Sequence, residues 1–471
     1  MKRILLLGLS PLPTENETCT LAPGKRTWQF TRPLLDMGHR ICLVCCRHLA
    51  AYQEADLPPI HAEEHGNLVY YSVEQPVFEN TAWLQRIHDH FEPDCIIGAT
   101  VFPSFIAVRL TTDVPIWADL FGHVMAEAQT KSFVFNDNYY ISKLWKQEKT
   151  ILDRADVFSV VSTPQAYATI GELGTRFRLN RATTGYSFIR VIPCSINEHV
   201  TLETPGTTSG VLRGKHVPDD AFIILWSGGY NTWTDIESLF TALESVLRLY
   251  PNVYFVSTGG RIASHDELTY GNFLNRIESS EYRDRYVMLG WIPFNEVPLC
   301  VKESNVGVNI DLYSYEGILG SRNRLMDWMQ AGLPVVTSEL CELSEAIRQR
   351  QLGLTFRPEN PGELTEVLIR AIEHPADLKE MTERARRYVM AELTAQVTTE
   401  PLVKWVDDPH RAPDANERVL PPEIDPGMHR FGLLARHYLA SIRNNVRSHG
   451  LGYTFRWLAA RTPGIRRFVR S

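Results

Sequence analysis

Twice along this chain, short β-rich apolar runs alternate with helix-length amphipathic stretches, and that rhythm restricts it to parallel sheets covered by helices. In the first round the runs predict strands at Ile4–Leu9, Ile41–Cys45, Leu68–Ser72, Cys95–Gly98, Ile116–Ala118, Val157–Val161 and Arg190–Ile192, with helices such as Trp28–Met37, Trp83–Phe91 and Tyr140–Arg154 between them. A polar, Gly/Thr/Pro-rich stretch without periodicity follows. The alternation then restarts with strands at Phe222–Trp226, Val253–Ser257, Tyr286–Leu289, Val306–Ile310 and Val335–Thr337.

At 471 residues the chain exceeds one ordinary core, so the two rounds read as two doubly wound α/β domains. We place the first at residues 1–200, a linker at 201–218 and the second domain at 219–405. A proline-rich linker follows at 406–427, and a basic amphipathic tail at 428–471. Ligands of such sheets bind beyond the strands' carboxyl ends, which directs attention to the strand-to-helix loops of both halves.

Composition excludes several classes. Hydrophobic residues at 44% and charged residues at 22% belong to a folded globular protein. The opening run MKRILLLGLSPLP is short and runs into prolines, which reads as a first strand rather than a signal peptide, and no stretch reaches the ~18–20 continuous apolar residues of a membrane span. A cytoplasmic protein is expected. Eight cysteines in a chain this long do not form a disulfide framework. Cys42 and Cys45, three apart on a strand, point to opposite faces, so buried thiols are expected.

The net charge of −7 is unevenly spread: residues 428–471 hold nine arginines and no acid, leaving −16 on the other 427. Phe, Leu, Tyr and Trp interleave with those arginines at roughly helical spacing, the pattern of an interfacial helix on an anionic membrane; a helix packed back on the acidic body is the alternative. Without a recognised binding module, nucleic acid is disfavoured.

Three loops could carry chemistry. Ala22-Pro23-Gly24-Lys25-Arg26 precedes the helix containing Trp28 and combines glycine, a helix start and positive charge, which suits a phosphate. Ser227-Gly228-Gly229-Tyr230-Asn231-Thr232-Trp233-Thr234-Asp235 follows a strand, with Thr234 or Asp235 as N-cap and backbone amides placed for a diphosphate. The third stretch is Asn309–Ser338. There Gly320-Ser321 reads as a helix start, and Arg322 and Arg324 fall in a first turn where positive side chains oppose the helix dipole, so an anion is expected. Asp327 shares a face with Arg324 and suits ribose hydroxyls, while Glu316 suits a sugar ring. A dinucleotide fingerprint is absent, because Gly8-Leu9-Ser10 runs into Pro-Leu-Pro.

At these residues the sequence resembles the retaining family-four glycosyltransferases of GT-B fold, particularly bacterial members that build polysaccharides and lipid-linked glycans. The resemblance rests on Glu316, Gly320, the Arg322-Asn323-Arg324 triplet, Asp327 and Ala331-Gly332-Leu333-Pro334-Val335-Val336. It departs from the family's pair of glutamates: Asp327 stands at the second position and Glu316 lies eleven residues before it instead of eight. Arg322, Arg324 and Arg26 replace the Arg and Lys that many relatives carry on the Gly228-Gly229 loop. Weaker matches are Gly24-Lys25-Arg26-Thr27-Trp28, Gly290-Trp291-Ile292-Pro293 near the base, and Pro401-Leu402-Val403 with Ala412-Pro413-Asp414.

The resemblance implies a soluble glycosyltransferase that moves a sugar from a nucleotide-diphosphate donor to a glycan or lipid-linked acceptor. Retention, no metal and no further cofactor are implied with it. His123, after the strand containing Asp119, is implied as a donor-sugar contact, with Asp119 orienting it or meeting the acceptor. The donor residues are Gly24, Arg26, Gly228, Gly229, Asn231, Trp233, Trp291, Arg322, Arg324 and Asp327. The membrane's inner face is the expected site of peripheral binding. A nucleotide-sugar 2-epimerase of the same fold, or a non-catalytic sugar-binding subunit, are the alternatives.

Overall fold

The computed structural model describes residues 1–15, 21–48, 52, 57–196, 210–262, 266, 268–416, 418, 442, 446 and 451. Contacts group the chain into two units, 1–418 and 419–471. The first holds both sheets. All but three residues of the basic tail 428–471, and the first part of the linker, 201–209, lie outside the described residues.

The first sheet has eight strands: β1 Arg3–Ser10, β2 Arg40–Arg47, β3 Ile60–His65, β4 Leu68–Val73, β5 Cys95–Gly98, β6 Ile116–Leu120, β7 Val157–Val160 and β8 Ile189–Val191. Their order is β3-β4-β2-β1-β5-β6-β7-β8, parallel throughout except for β3. The second has six parallel strands, β9 Phe222–Ser227, β10 Val253–Thr258, β11 Tyr286–Gly290, β12 Val306–Asn309, β13 Val335–Ser338 and β14 Leu354–Phe356, ordered β11-β10-β9-β12-β13-β14. Parallel strands covered on both faces need near-continuous apolar runs, and β1 and β9 supply them. Leu5 and Leu7 enter one core and Ile4 and Leu6 the opposite one; Ile224 and Trp226 alternate likewise with Ile223 and Leu225. Cys42 and Cys45 fall in those two opposite cores, and all seven described cysteines are buried and unpaired.

Two strands were not legible. β3 reads IHAEEH, mostly exposed and charged, as suits an antiparallel edge that must resist further pairing. β14 has three residues, too few to show a period.

The sequence-based boundary at 405 is revised by packing. Helices Ala395–Thr398 and Glu400–Asp407 return to the first sheet, where Leu402, Trp405 and Val406 pack with Ile4, Leu6 and Phe30. Trp405 lies against Trp117 with ring centroids 5.4 Å apart. The expected proline-rich linker starts inside this packing: Ala412 is core, and the buried Asp414 carboxylate accepts from Arg178 Nε at 2.7 Å. Proline removes a backbone donor but not a side chain's capacity to bury, which composition alone did not reveal. Likewise the described end of the first linker is anchored. Glu303 accepts from the Val211, Leu212 and Arg213 amides, and Leu212 and Val217 are core.

Candidate active site

In the second sheet strand order reverses between β9 and β12, so the loops leaving their carboxyl ends face one crevice. After β9 the chain turns at Gly228, whose φ of +93° is open to glycine, and Asp235 caps the helix Ile236–Leu249 by accepting from Ser238 N at 3.0 Å. A second glycine pair, Gly259-Gly260, leaves β10 against the first. Gly228 N donates to Thr258 O, Tyr230 N donates to Gly260 O, and a Cβ on Gly259 would collide with Gly228 O. The sequence carried this signal as a second Gly-Gly at a strand end. The Gly229 N–H has no acceptor among the described residues.

Arg324 closes this pocket. It lies in the first turn of the helix Asn323–Ala331, stacks 3.9 Å over Trp226 and donates from Nη2 to Gly229 O at 3.0 Å. Its Nη1 is sealed from water and has neither acceptor nor carboxylate partner among the described residues. Burial pushes the guanidinium down to about 10; Asp311 acts against that and Arg322 with it. A buried cation without a counter-ion is costly, so the site is electrostatically short of an anion. Trp291, half exposed, closes the other side: its Cζ2 is 3.5 Å from where a Gly229 Cβ would be, and its Nε1 donates to Arg261 O. Gly228, Gly229, Trp291 and Arg324 are thus brought together.

Arg322 is not. It caps the same helix but points inward, where its Nε bonds both Asp311 oxygens at 3.0 Å and Nη2 bonds Glu316 Oε2 at 2.8 Å. Trp233 lies under it at 5.5 Å. Burial works against this guanidinium's charge, but Asp311 and Glu316 outweigh it and hold the group above its ordinary value. One cation cannot neutralise two buried carboxylates. Burial lifts Glu316 to about 7, with Arg322 opposing and Asp311 adding to the rise. The expectation that Arg322 faces a diphosphate is therefore corrected: its donors are consumed by two carboxylates. The Asn231 backbone N–H donates to Thr234 Oγ1 within the turn.

In the first half the expected loop is already helix. Pro23 sits in the first turn of Ala22–Asp36, so Gly24, Lys25 and Arg26 are helical rather than free. Gly24 is buried because a Cβ would strike Pro11 O. Arg26 is fully buried, with Nη2 and Nε on the Asp119 oxygens at 2.7 and 3.0 Å and Nη1 on Gln29 Oε1 and Ile192 O. Asp119, also wholly buried, accepts in addition from Thr100 N and Ser159 Oγ. Both are spent on this buried pair, and neither bonds His123 among the described residues, which corrects both expectations: a guanidinium this deep is held by its carboxylate.

The cation that does cross the cleft is Lys25, whose Nζ meets Asp327 Oδ2 at 2.6 Å. Thr130 Oγ1 and Thr232 Oγ1, 3.2 Å apart, make a second crossing. Sequence placed Lys25 in a phosphate-suited loop but gave it no partner, because residues 302 apart in the chain carry no shared local pattern.

His123 caps the helix Val124–Phe135 by accepting at Nδ1 from Ala126 N, and its Nε2 lies 3.0 Å from Glu172 Oε1. Behind Glu172 stands buried Glu148, which burial and then the Glu172 charge lift to about 8. This folded value exceeds the unfolded one, so the folded chain binds the extra proton between them and stability falls as pH rises from 4.5 toward about 8. Glu148→Gln keeps the neutral form. Its stability should match the native chain's near pH 5 and exceed it at pH 8, by at least the ~1.4 kcal/mol that one pKa unit represents. Parallel thermal melts at the two pH values check this. Among the described residues, no three His, Cys, Asp or Glu side chains are grouped to hold a metal ion.

Two α/β halves that present strand carboxyl ends and a glycine-lined pocket to one cleft make the GT-B fold. Residues 221–374 match the family described as Glycosyl transferases group 1. Among curated proteins, YtcC of Bacillus subtilis (strain 168), a glycosyltransferase by name, is 24% identical over 186 residues, 39% of this chain and 44% of YtcC. The match thus spans less than half of that relative. Among solved structures, a sucrose-phosphate synthase from Thermosynechococcus elongatus aligns at TM-score 0.67 with 17% identity, over 86% of this chain and 98% of its own. An α,α-trehalose-phosphate synthase (UDP-forming) from Burkholderia vietnamiensis gives 0.62 at 13%, over 89% and 100%. Anabaena Alr3699/HepE in complex with UDP-glucose gives 0.59 at 15%, over 86% and 100%. At these identities the likeness is one of fold.

Proposed function

We propose that this protein transfers a sugar from a nucleotide-diphosphate donor to a glycan or lipid-linked acceptor, with retention and without a metal, in polysaccharide assembly at the membrane's inner face. The observation that carries the reading is Arg324, a half-buried guanidinium whose sealed Nη1 has no acceptor among the described residues, beside the Gly229 amide, which has none either. A diphosphate there supplies the missing anion. As the bond from the sugar's anomeric carbon to the phosphate oxygen breaks, the same two donors stabilise the charge that develops on that oxygen. Trp291 offers a ring to the base and Asp327 a carboxylate to the ribose hydroxyls. Asp327 becomes available when the donor exchanges Lys25. His123 remains the sugar-side candidate of the first half, with Glu172 as the partner it exchanges. Glu316 and Arg322 serve as buried shape for the loop before Asn323, and Arg26 with Asp119 for the helix carrying Lys25. The matched family domain and the relatives solved with UDP-glucose support this reading. Membrane contact through residues 428–471 belongs to the proposal.

The test is a thermal-shift and hydrolysis screen, without added metal, against UDP-, GDP-, dTDP- and CMP-sugars, run beside Asp327→Asn. One nucleoside diphosphate class should stabilise the native chain. Asp327→Asn should leave the unliganded melt within ~1 kcal/mol, since the pair with Lys25 is partly exposed. It should raise the donor KM by about tenfold or more, the worth of a charge-assisted hydrogen bond. Silence toward every nucleotide would overturn the proposal, and an epimerised rather than hydrolysed donor would redirect it to the 2-epimerase.

A further inference from the structure

At the end of the first sheet opposite the cleft, the returning chain meets a group of arginines that the fold does not consume. Arg154 closes the helix Tyr139–Arg154, Asp156 stands just before β7, and Arg178 follows the helix Thr163–Thr175. Arg411, Asp414 and Arg418 arrive with the segment after the helix Glu400–Asp407. Asp156 Oδ2 accepts from the amide of Ile116, the first residue of β6, at 2.9 Å. The group therefore sits at the amino ends of β6 and β7, away from the strand ends that line the cleft.

The charges here do not balance. Arg178 Nε meets Asp414 Oδ2 at 2.7 Å, and this buried pair neutralises itself. Asp156, wholly buried, accepts from Arg418 Nη2 at 3.3 Å and from the Ala412 amide. Both buried carboxylates are then spent on two of the four guanidiniums. Among the described residues Arg154 bonds the carbonyl of Thr112 and no carboxylate. Arg411 reaches Asp113 at 3.3 Å, but that carboxylate lies fully in water and offsets little. The four cations feel one another. Burial pushes Arg154 down, and Arg411 and Arg178 add to the fall against Asp156 and Asp113. Burial, with Arg178 and Arg154 adding, takes Arg418 to about 10 against Asp156 and Asp414. Three of their nitrogens, Arg154 Nη1, Arg411 Nε and Arg418 Nε, are closed to water and have no acceptor among the described residues. Unanswered N–H groups beside surplus buried positive charge are costly as they stand, and an oxyanion answers both deficits.

We propose that Arg154, Arg411 and Arg418 bind a phosphate-type dianion at the base of the first half, at a site separate from the donor pocket of Arg324. Two negative charges cancel the surplus, and a tetrahedral oxyanion offers oxygens to guanidinium donors that arrive from different elements. The ligand is small and freely diffusing. The Arg411 and Arg418 side chains keep 28% and 13% exposure, so the group opens at one edge while the unanswered nitrogens lie beneath it, where an oxyanion fits and an extended surface does not reach. Once bound, the anion ties the returning segment to the helix that ends at Arg154. This site stands independently of the transferase reading.

The experiment is thermal shift of the full chain in inorganic phosphate against sodium chloride at equal ionic strength, run on the native chain, Arg411→Gln, Arg154→Gln and Arg324→Met. Phosphate should raise the native melting temperature by about 3 °C or more over chloride. Arg324→Met should keep that rise, and Arg411→Gln and Arg154→Gln should each lose most of it. In chloride, Arg411→Gln should melt at or slightly above the native temperature, because it removes a like charge and leaves behind only an exposed carboxylate. A purely structural clasp behaves differently: Arg411→Gln would then melt lower by the same amount in both salts, and that result would overturn the proposal. A native chain indifferent to phosphate would overturn it too. So would a phosphate rise that Arg324→Met loses and Arg411→Gln keeps, which would put the anion in the donor pocket.

Discussion

Arg324→Met should abolish nucleotide recognition while leaving the unliganded protein as stable as before. The two halves of that statement come from one geometry. Among the described residues the native guanidinium makes one hydrogen bond, to Gly229 O, and one stacking contact, with Trp226, while its Nη1 is buried without a partner. Methionine keeps the stacking bulk and removes an uncompensated charge, so the loss and the relief offset to within about 1 kcal/mol. A donor held through its diphosphate loses its principal cation, and with it the stabilisation of the departing oxygen. Loss of one preorganised donor of this kind costs about 10²–10³ in turnover, and the weakened ground-state contact adds to that in kcat/KM. In thermal shift, a nucleotide at a hundred times its Kd should stabilise the native chain by about 2.7 kcal/mol and the variant by almost nothing at the same concentration. A variant that keeps the full nucleotide shift would move the diphosphate elsewhere. A variant that melts far below the native chain would show that Arg324 is a structural cation, as Arg26 is.

The fold was legible because parallel strands buried on both faces must be written as apolar runs. Leu5 and Leu7 facing one core and Ile4 and Leu6 the other need no long-range information. What local pattern does not contain is the direction a strand-end side chain takes. Arg26, Arg322 and Arg324 read alike in sequence, each a cation near a helix start by a glycine. Their fates separate only through carboxylates brought in from elsewhere: Asp119 from β6 for Arg26, and Asp311 and Glu316 for Arg322. Arg324 is bonded by none among the described residues, and that absence is what makes it a ligand-binding candidate. The Lys25–Asp327 crossing was hidden for the same reason. The Gly259-Gly260 pair, by contrast, stood in the sequence at the end of a predicted strand and repeated the Gly228-Gly229 signal. The helix start at Ala22 was also readable, from Pro23 in its first turn.

Arg26→Met, at a cation that looks equivalent in sequence, should instead be a folding lesion. Its guanidinium spends two nitrogens on Asp119 and a third on Gln29 Oε1 and Ile192 O, with Phe30 4.5 Å beneath it. Methionine fills much of the space but leaves the Asp119 carboxylate with no counter-charge at 0% exposure, supported only by Thr100 N and Ser159 Oγ. Breaking a buried pair from one side costs about 3–5 kcal/mol, which in a half of this size lowers the melting temperature by roughly 10 °C or more. The double variant Arg26→Met/Asp119→Asn should recover part of that loss, because the amide removes the stranded charge while its oxygen accepts from Thr100 N and its NH2 donates to Ser159 Oγ; the difference between the single and double variants measures the coupling. Below its melting temperature the single variant should still bind nucleotide within about threefold of the native Kd, since a rigid buried pair that touches no donor contributes little to ΔG of binding. Native stability combined with lost nucleotide binding would reverse the assignment and return Arg26 to the donor site. That outcome would require the helix Ala22–Asp36 to turn on ligand binding and carry the guanidinium out of a packed core, against the penalty that holds it there.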